Sequence, residues 1–208
     1  MSSLISRDLG YKQLPEVWED MKRFTDGRTG ETPDEIWFVE HPPIFTLGLN
    51  ANPSHVLEAG DIPVLKVDRG GQVTYHGPGQ LVCYPIMDLH DYKMSVSWYM
   101  RLLENVVMDC LKSYGIESGQ KEGLTGVWVD DDKICAMGVR LSKWVTMHGF
   151  ALNLNPDMTY FDGMIPCGIF EFGVTSLEEL DIQFDSSDVR TKIMNSFNYF
   201  LSKGTNEV

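Results

Sequence analysis

The chain is 208 residues long, enough for one domain whose folded form buries roughly 70% of the surface its extended form exposes. Hydrophobic residues at 43% and charged residues at 23% exclude intrinsic disorder, collagen-like repeats and low-complexity sequence. The balance of 17 Lys+Arg against 30 Asp+Glu, a net charge of -13, argues against a general nucleic-acid surface, because that affinity comes from cations that neutralise phosphates.

The opening segment, MSSLISRDLGYKQLPEVW, lacks the basic region and apolar core of a secretory signal. No apolar run reaches the roughly 18 residues a membrane span needs. A cytoplasmic location without a membrane partner is therefore expected. From Leu14 to Phe24, apolar Leu14, Val17, Trp18 and Met21 repeat at helical spacing, and Pro15 suits the first turn. Glu35 to Phe45 reads as a strand bent or ended by Pro42 and Pro43, and Ile62 to Val67 as a short second strand. Gly79 to Leu89 is a third strand, too continuously apolar to have one wet face.

Val96 to Tyr114 is the clearest helix. Leu103, Val106, Val107, Cys110, Leu111 and Tyr114 form one stripe, opposite Arg101, Glu104, Asp109 and Lys112. Ser95 is the candidate cap and Gly115 the stop. From Gly126 the period changes to two: GVWV, an acidic turn at Asp130-Asp131-Asp132 and KICAMGVRL predict a hairpin, followed by a strand from Thr146 to Leu154. A last amphipathic helix runs from about Ser187 to Ser202, with Val189, Ile193, Phe197, Phe200 and Leu201 inward. Strands interleaved irregularly with three helices predict an α+β fold in which a mixed sheet packs against helices. There is no repeat and no linker, so residues 1–208 are read as one domain.

Four segments concentrate chemistry. Asp68 to Gln80, DRGGQVTYHGPGQ, holds four glycines that let the backbone approach a ligand or offer it N–H groups. It is neither a P-loop nor a dinucleotide fingerprint, and an ordinary tight loop is the plain alternative. In Lys133 to Gly138, strand alternation puts Lys133, Cys135 and Met137 on one face. That lysine either snorkels at a strand edge or points into a pocket. His148 to Asn153, HGFALN, is the third segment. Ile165 to Gly168, IPCG, is the fourth, with Cys167 in a turn between a proline and a glycine. Cys83, Cys110, Cys135 and Cys167 are too scattered for a CxxC pair or a zinc knuckle, so free thiols and no metal are expected. A thiol with a free pKa of about 8.5 reacts well only when a neighbouring cation stabilises the thiolate. From the residues alone, Cys167 is either a nucleophile or a structural turn cysteine.

Taken together, DRGGQVTYHGPGQLVCYPIMDL, DKICAMGVR, HGFALNLN and IPCG with GVTSL behind it resemble the bacterial octanoyltransferase (lipoate biosynthesis protein B) family, in its order and approximate spacing. EIWFVEHPPIFTLG adds to the resemblance. It implies a fold similar to biotin and lipoate protein ligases. It also implies a reaction: octanoyl passes from octanoyl-acyl carrier protein to a lysine on lipoyl domains of 2-oxo-acid dehydrogenases or on the glycine-cleavage H protein. By the same resemblance Cys167 is the acyl-accepting nucleophile and Lys133 the residue that lowers its pKa. The substrate pocket is lined by Arg69, Gly70, Gly71, Gln72, Val73, Thr74, Tyr75 and His76, by Ala136, Met137 and Gly138, and by Gly149, Phe150 and Ala151. An activated thioester needs neither ATP nor a cofactor, and covalent catalysis divides transfer between two proteins into two steps. Because those partners are acidic, a local basic patch is expected, with Lys66, Arg69, Lys121, Lys133, Arg140 and Lys143 as candidates.

The rival readings are an ATP-dependent lipoate or biotin ligase, a cysteine hydrolase using Cys167 with His76 or His148, and a non-catalytic metal or acyl-carrying module. His76 reads more simply as a positioning or packing group than as a base.

Overall fold

The computed structural model describes residues 4–164 and 172–204. Its larger sheet has the order β1 (Ile5–Tyr11), β2 (Glu35–Glu40), β6 (Gln80–Ile86), β10 (Val145–Asn153), β9 (Asp132–Ser142), β8 (Leu124–Val129) and β7 (Gly119–Lys121), with β11 (Gly173–Val174) pairing parallel to β9. A smaller sheet runs β4 (Val64–Lys66), β3 (Ile44–Leu47), β5 (Val73–His76). Parallel pairs (β1 with β2, β3 with β4, β11 with β9) sit beside antiparallel ones, so both sheets are mixed.

Alternation divides the central strands between two cores. Ile36 and Phe38 of β2, Leu81 and Cys83 of β6, and Phe150 and Leu152 of β10 join the larger core beneath α2 (Val96–Lys112) and α4 (Ser186–Ser202). Trp37 and Val39, Val82 and Tyr84, and Ala151 face the other way and pack with Val17 and Met21 of α1 (Leu14–Asp26). Strands covered on both faces have no wet side, hence the unbroken apolar run LVCYPI. On α2, the fully buried Leu102, Leu103, Val106, Val107 and Leu111 each contribute about 1.5–3 kcal/mol of burial free energy. Ser95 caps this helix by accepting the Trp98 N–H at 3.3 Å, and Gly115, at φ 77°, follows its end. Asp185 caps α4 through the N–H groups of Ser187 and Asp188.

The fold differs from the sequence reading in several places. Glu35–Phe45 is not one bent strand: Pro42 and Pro43 separate β2 from β3, which lie in different sheets. The glycine-rich stretch contains strand β5, and Ile5–Tyr11, mostly exposed, adds an edge strand with no apolar alternation to announce it. A fourth, one-turn helix, α3 (Thr159–Asp162), joins the three expected. Glu104 is buried rather than on the wet face of α2, reached by Arg101 at 3.3 Å, and burial raises its pKa. Among the described residues no helix is long and apolar enough to cross a membrane.

Candidate active site

A cavity of about 220 Å³ lies between the two sheets. Thr46, Val73, Thr74 and His76 reach it from the smaller sheet. Val82 and Tyr84 of β6, Ala136, Met137 and Gly138 of β9, and His148, Gly149, Phe150 and Ala151 of β10 reach it from the larger. Arg69, Gly71, Gln72 and Lys133 complete the set of sequence-named residues on its wall. Two others stand off it. Tyr75 alternates away from Thr74 and His76, packs between Phe45, Tyr160 and Phe161, and is 1% exposed. Gly70 donates its N–H to the Val139 carbonyl at 2.9 Å, and so ties the loop to β9 instead of offering that donor to a ligand.

Arg69 works as a staple. Its Nη1 donates to the Gly70 carbonyl at 2.9 Å, and its Nη2 to the Thr46 carbonyl and hydroxyl at 2.9 and 2.8 Å. The staple needs Gly138, where a Cβ would lie 2.8 Å from the Gly70 oxygen and 3.1 Å from Arg69 Cδ. Lys133 is 5% exposed, with Nζ 4.6 Å from the centre of the Trp128 ring. Gly126, at φ 128°, makes way for it: a Cβ there would be 3.3 Å from Lys133 Cε and 2.6 Å from the Cys135 carbonyl oxygen.

A register shift between Lys133 and Cys135, opposite Trp128 and Val127, breaks the expected alternation. Lys133 lines the cavity, whereas Cys135 turns into the α2 core, where burial raises its thiol pKa well above the ordinary value. Cys83 is likewise buried and raised, and burial pushes Cys110 up to about 12. Cys167 lies outside the described residues. On either side of residues 165–171 the chain is at the cavity: Met164 lines it before them, and Val174, paired in register with Lys133, lines it after. The Thr175 N–H donates to the Lys133 carbonyl at 3.0 Å.

Sequence reasoning passed over a histidine network. His148 sits inside β10 at φ 58°, a left-handed conformation that costs a non-glycine residue about 1–2 kcal/mol. Its Nε2–H donates to Asp68 at 2.7 Å, and Asp68 also accepts from Trp18 at 2.9 Å and from Arg140. Burial pushes the Asp68 pKa up, but the hydrogen bonds from His148 and Trp18 and the charge of Arg140 outweigh it and hold the carboxyl at about 2. His41 receives the Tyr84 hydroxyl at 2.9 Å on Nε2 and donates Nδ1–H to the Lys12 carbonyl at 2.7 Å, and burial lowers its pKa to about 4. Burial also lowers His76 and His148, so all three imidazoles are neutral near pH 7. The signal was present in Asp68 and His148, which open two of the four segments, but eighty residues separate them.

Of the six candidates for a local basic patch, Lys66 and Lys143 are exposed. Arg69 and Lys133 are buried, Arg140 is paired with Asp68, and Lys121 with Asp131 at 2.5 Å.

A mixed sheet backed by helices, with a second small sheet over a cavity, is the fold of enzymes that attach lipoate and biotin to proteins. Lipoate-protein ligase A bound with ATP superposes with a TM-score of 0.78 at 13% identity, over 97% of this chain and 85% of that one. Biotin protein ligase from Aquifex aeolicus, in complex with biotin and ATP, superposes at 0.59 and 14%, over 100% and 73%. The chain belongs to the lipoyl protein ligase A/B catalytic domain family, whose profile matches residues 15–198, and within it to the octanoyltransferases. It is 44% identical to the octanoyltransferase of Methylococcus capsulatus over 87% of each chain. It is 41% identical to that of Aromatoleum aromaticum over 96% of this chain and 86% of that one, and 42% identical to that of Coxiella burnetii over 95% and 82%.

Proposed function

We propose that this octanoyltransferase works through an acyl-enzyme: Cys167 takes octanoyl from octanoyl-acyl carrier protein in the cytosol and passes it to a lysine on a lipoyl domain. The observation that carries this reading is a buried lysine on the wall of a mostly apolar cavity, register-paired with Val174, seven residues beyond Cys167. The Lys133 ammonium would hold the thiol as thiolate. The thiolate attacks the thioester carbonyl, and the carrier's thiol leaves. The acceptor amine then attacks the enzyme thioester and expels Cys167. Both donors are activated thioesters, so neither step requires ATP. Val82, Ala136, Met137, Phe150 and Ala151 supply apolar wall for the chain. Each buried methylene adds about 0.8 kcal/mol, which favours octanoyl over acetyl by several kcal/mol when the tail is enclosed.

Mass spectrometry of the protein incubated with octanoyl-acyl carrier protein, without ATP, tests the reading. An octanoyl adduct on Cys167 is expected, together with loss of lipoyl-domain modification in Cys167→Ala. Transfer by Cys167→Ala at a rate near wild type, or transfer that begins only when ATP is added, overturns it.

A further inference from the structure

Two buried amides next to the cavity have no part in the reading above. Asn153 donates Nδ2–H to the Thr175 carbonyl at 2.9 Å, which leaves its Oδ1 to accept from Gln80 Nε2 at 2.9 Å. Gln80 spends its second amide hydrogen on the Tyr75 carbonyl at 3.2 Å. With both hydrogens committed, its Oε1 is the atom 3.1 Å from His76 Nδ1. An amide oxygen only accepts, so Nδ1 of His76 must carry the hydrogen, and the lone pair of the neutral ring is on Nε2. Asn153, Gln80 and His76 are 4%, 2% and 7% exposed, so water does not compete for these bonds. Two side chains, from β6 and β10, thus select one tautomer of the β5 ring on the cavity wall.

We infer that His76 is the proton acceptor for the incoming lysine amine, with Gln80 and Asn153 as its positioning residues; this rests on the acyl-enzyme reading. As the neutral amine nitrogen bonds to the thioester carbon, it becomes positively charged and must shed one of its own protons. His76 Nε2 takes that proton, the carbon–sulfur bond breaks with its electron pair going to sulfur, and the imidazolium returns the proton to the departing thiolate. Atoms and charge balance without a co-reactant. Burial, then the fields of His41, Arg69 and His148, lower the pKa of the ring, and the Gln80 hydrogen bond opposes them. The ring is therefore neutral before the amine arrives, and the Gln80 carbonyl oxygen offsets part of the cost of charging it.

Single-turnover measurements on the full chain separate octanoyl loading, read as protein mass, from transfer to a purified lipoyl domain. His76→Ala is expected to slow transfer about 100-fold more than loading, and added imidazole to restore it. Gln80→Glu, whose carboxylate favours the imidazolium, is expected to move the acid limb of the transfer pH profile upward. Equal slowing of both steps in His76→Ala overturns the inference and makes His76 a packing residue. Should that variant not fold, Gln80→Glu decides alone, and an unmoved profile overturns it. Should the wild type form no octanoyl adduct, the covalent reading falls, and net transfer judges His76: a rate within a few-fold of wild type in His76→Ala overturns its role.

Discussion

Lys133 illustrates how much local structure a single charge requires. Its stem passes a glycine at positive φ, its ammonium lies over an indole, and a register shift turns it out of the plane of alternation that would have put it beside Cys135. The role proposed for it has a clean chemical readout. Cys83, Cys110 and Cys135 are at most 1% exposed and their thiol pKa values are raised, so they stay silent toward a polar alkylating reagent. Alkylation of the native protein then reports Cys167. Lys133→Met is expected to lower that rate about tenfold at pH 7 and to recover it as the pH rises toward 8.5, the ordinary thiol value. Lys133→Arg keeps the charge but misplaces it in a planar fork, and is expected to restore alkylation better than turnover. An alkylation profile unchanged in Lys133→Met would remove the lysine from thiolate formation.

The element scale is where strain can be read and relieved. β9 and β10 are joined through Lys143 and Trp144, at φ 51° and 67°. Positive φ at both central residues matches the turn that suits the twist of a two-residue hairpin, where Asn-Gly is the preferred pair. Lys143 is exposed, so its replacement disturbs no packing. Lys143→Asn is expected to stabilise the protein by about 0.5–1 kcal/mol, because asparagine enters the left-handed region at less cost. By calorimetry the melting temperature should rise by about 1–3 °C. A fall would show that the lysine holds the turn by a contact worth more than the strain.

The same scale separates what the sequence could and could not say. α2 was legible because its cap, stripe and stop are all local signals, and β6 because a doubly covered strand needs an unbroken apolar run. β1 was not: ISRDLGY is an exposed edge strand, held by backbone pairing to β2 and by the ion pairs Arg7–Glu35 and Asp8–Arg190, so nothing in its side chains alternates. Splitting β2 from β3 into different sheets depends on where the chain goes after Pro43, which is tertiary information. The cavity was legible as four chemical segments, and most of the named residues do meet there. Tyr75 and Cys135 went astray because face assignment by counting fails when the strand itself is missed, as with β5, or when a bulge resets the count, as in β9. Tyr84 looked like an ordinary strand residue, and Gln80 and Asn153, which close two of the four segments, were given no role, since their polar atoms matter only through partners on other strands.

At the scale of the whole molecule, the notable burial is of neutral imidazole. His41, His76 and His148 lie within one aromatic group: His41 is 6.1 Å from His76 and 5.9 Å from Tyr84, and Tyr84 is 6.1 Å from His148. Burial lowers all three pKa values, so the unfolded chain binds protons that the folded one refuses. The sign follows: stability from these groups is complete above the ordinary histidine value of 6.5 and is lost as the pH falls through their folded values. Asp34 and Glu104, raised by burial, act in the opposite direction, so the total slope does not isolate the histidines. One substitution does. With a folded pKa of about 4, His41 releases nearly one proton at pH 5 relative to the unfolded chain, equivalent to about 1.2 kcal/mol per pH unit. Urea unfolding measured from pH 5 to 7 should show the slope at pH 5 reduced by this amount in His41→Gln, with the difference fading toward pH 7 as the unfolded imidazole loses its proton, whatever the variant loses in absolute stability from the Tyr84 and Lys12 bonds. A slope identical to wild type would mean that His41 titrates normally in the folded protein, and that the buried cluster admits a charge.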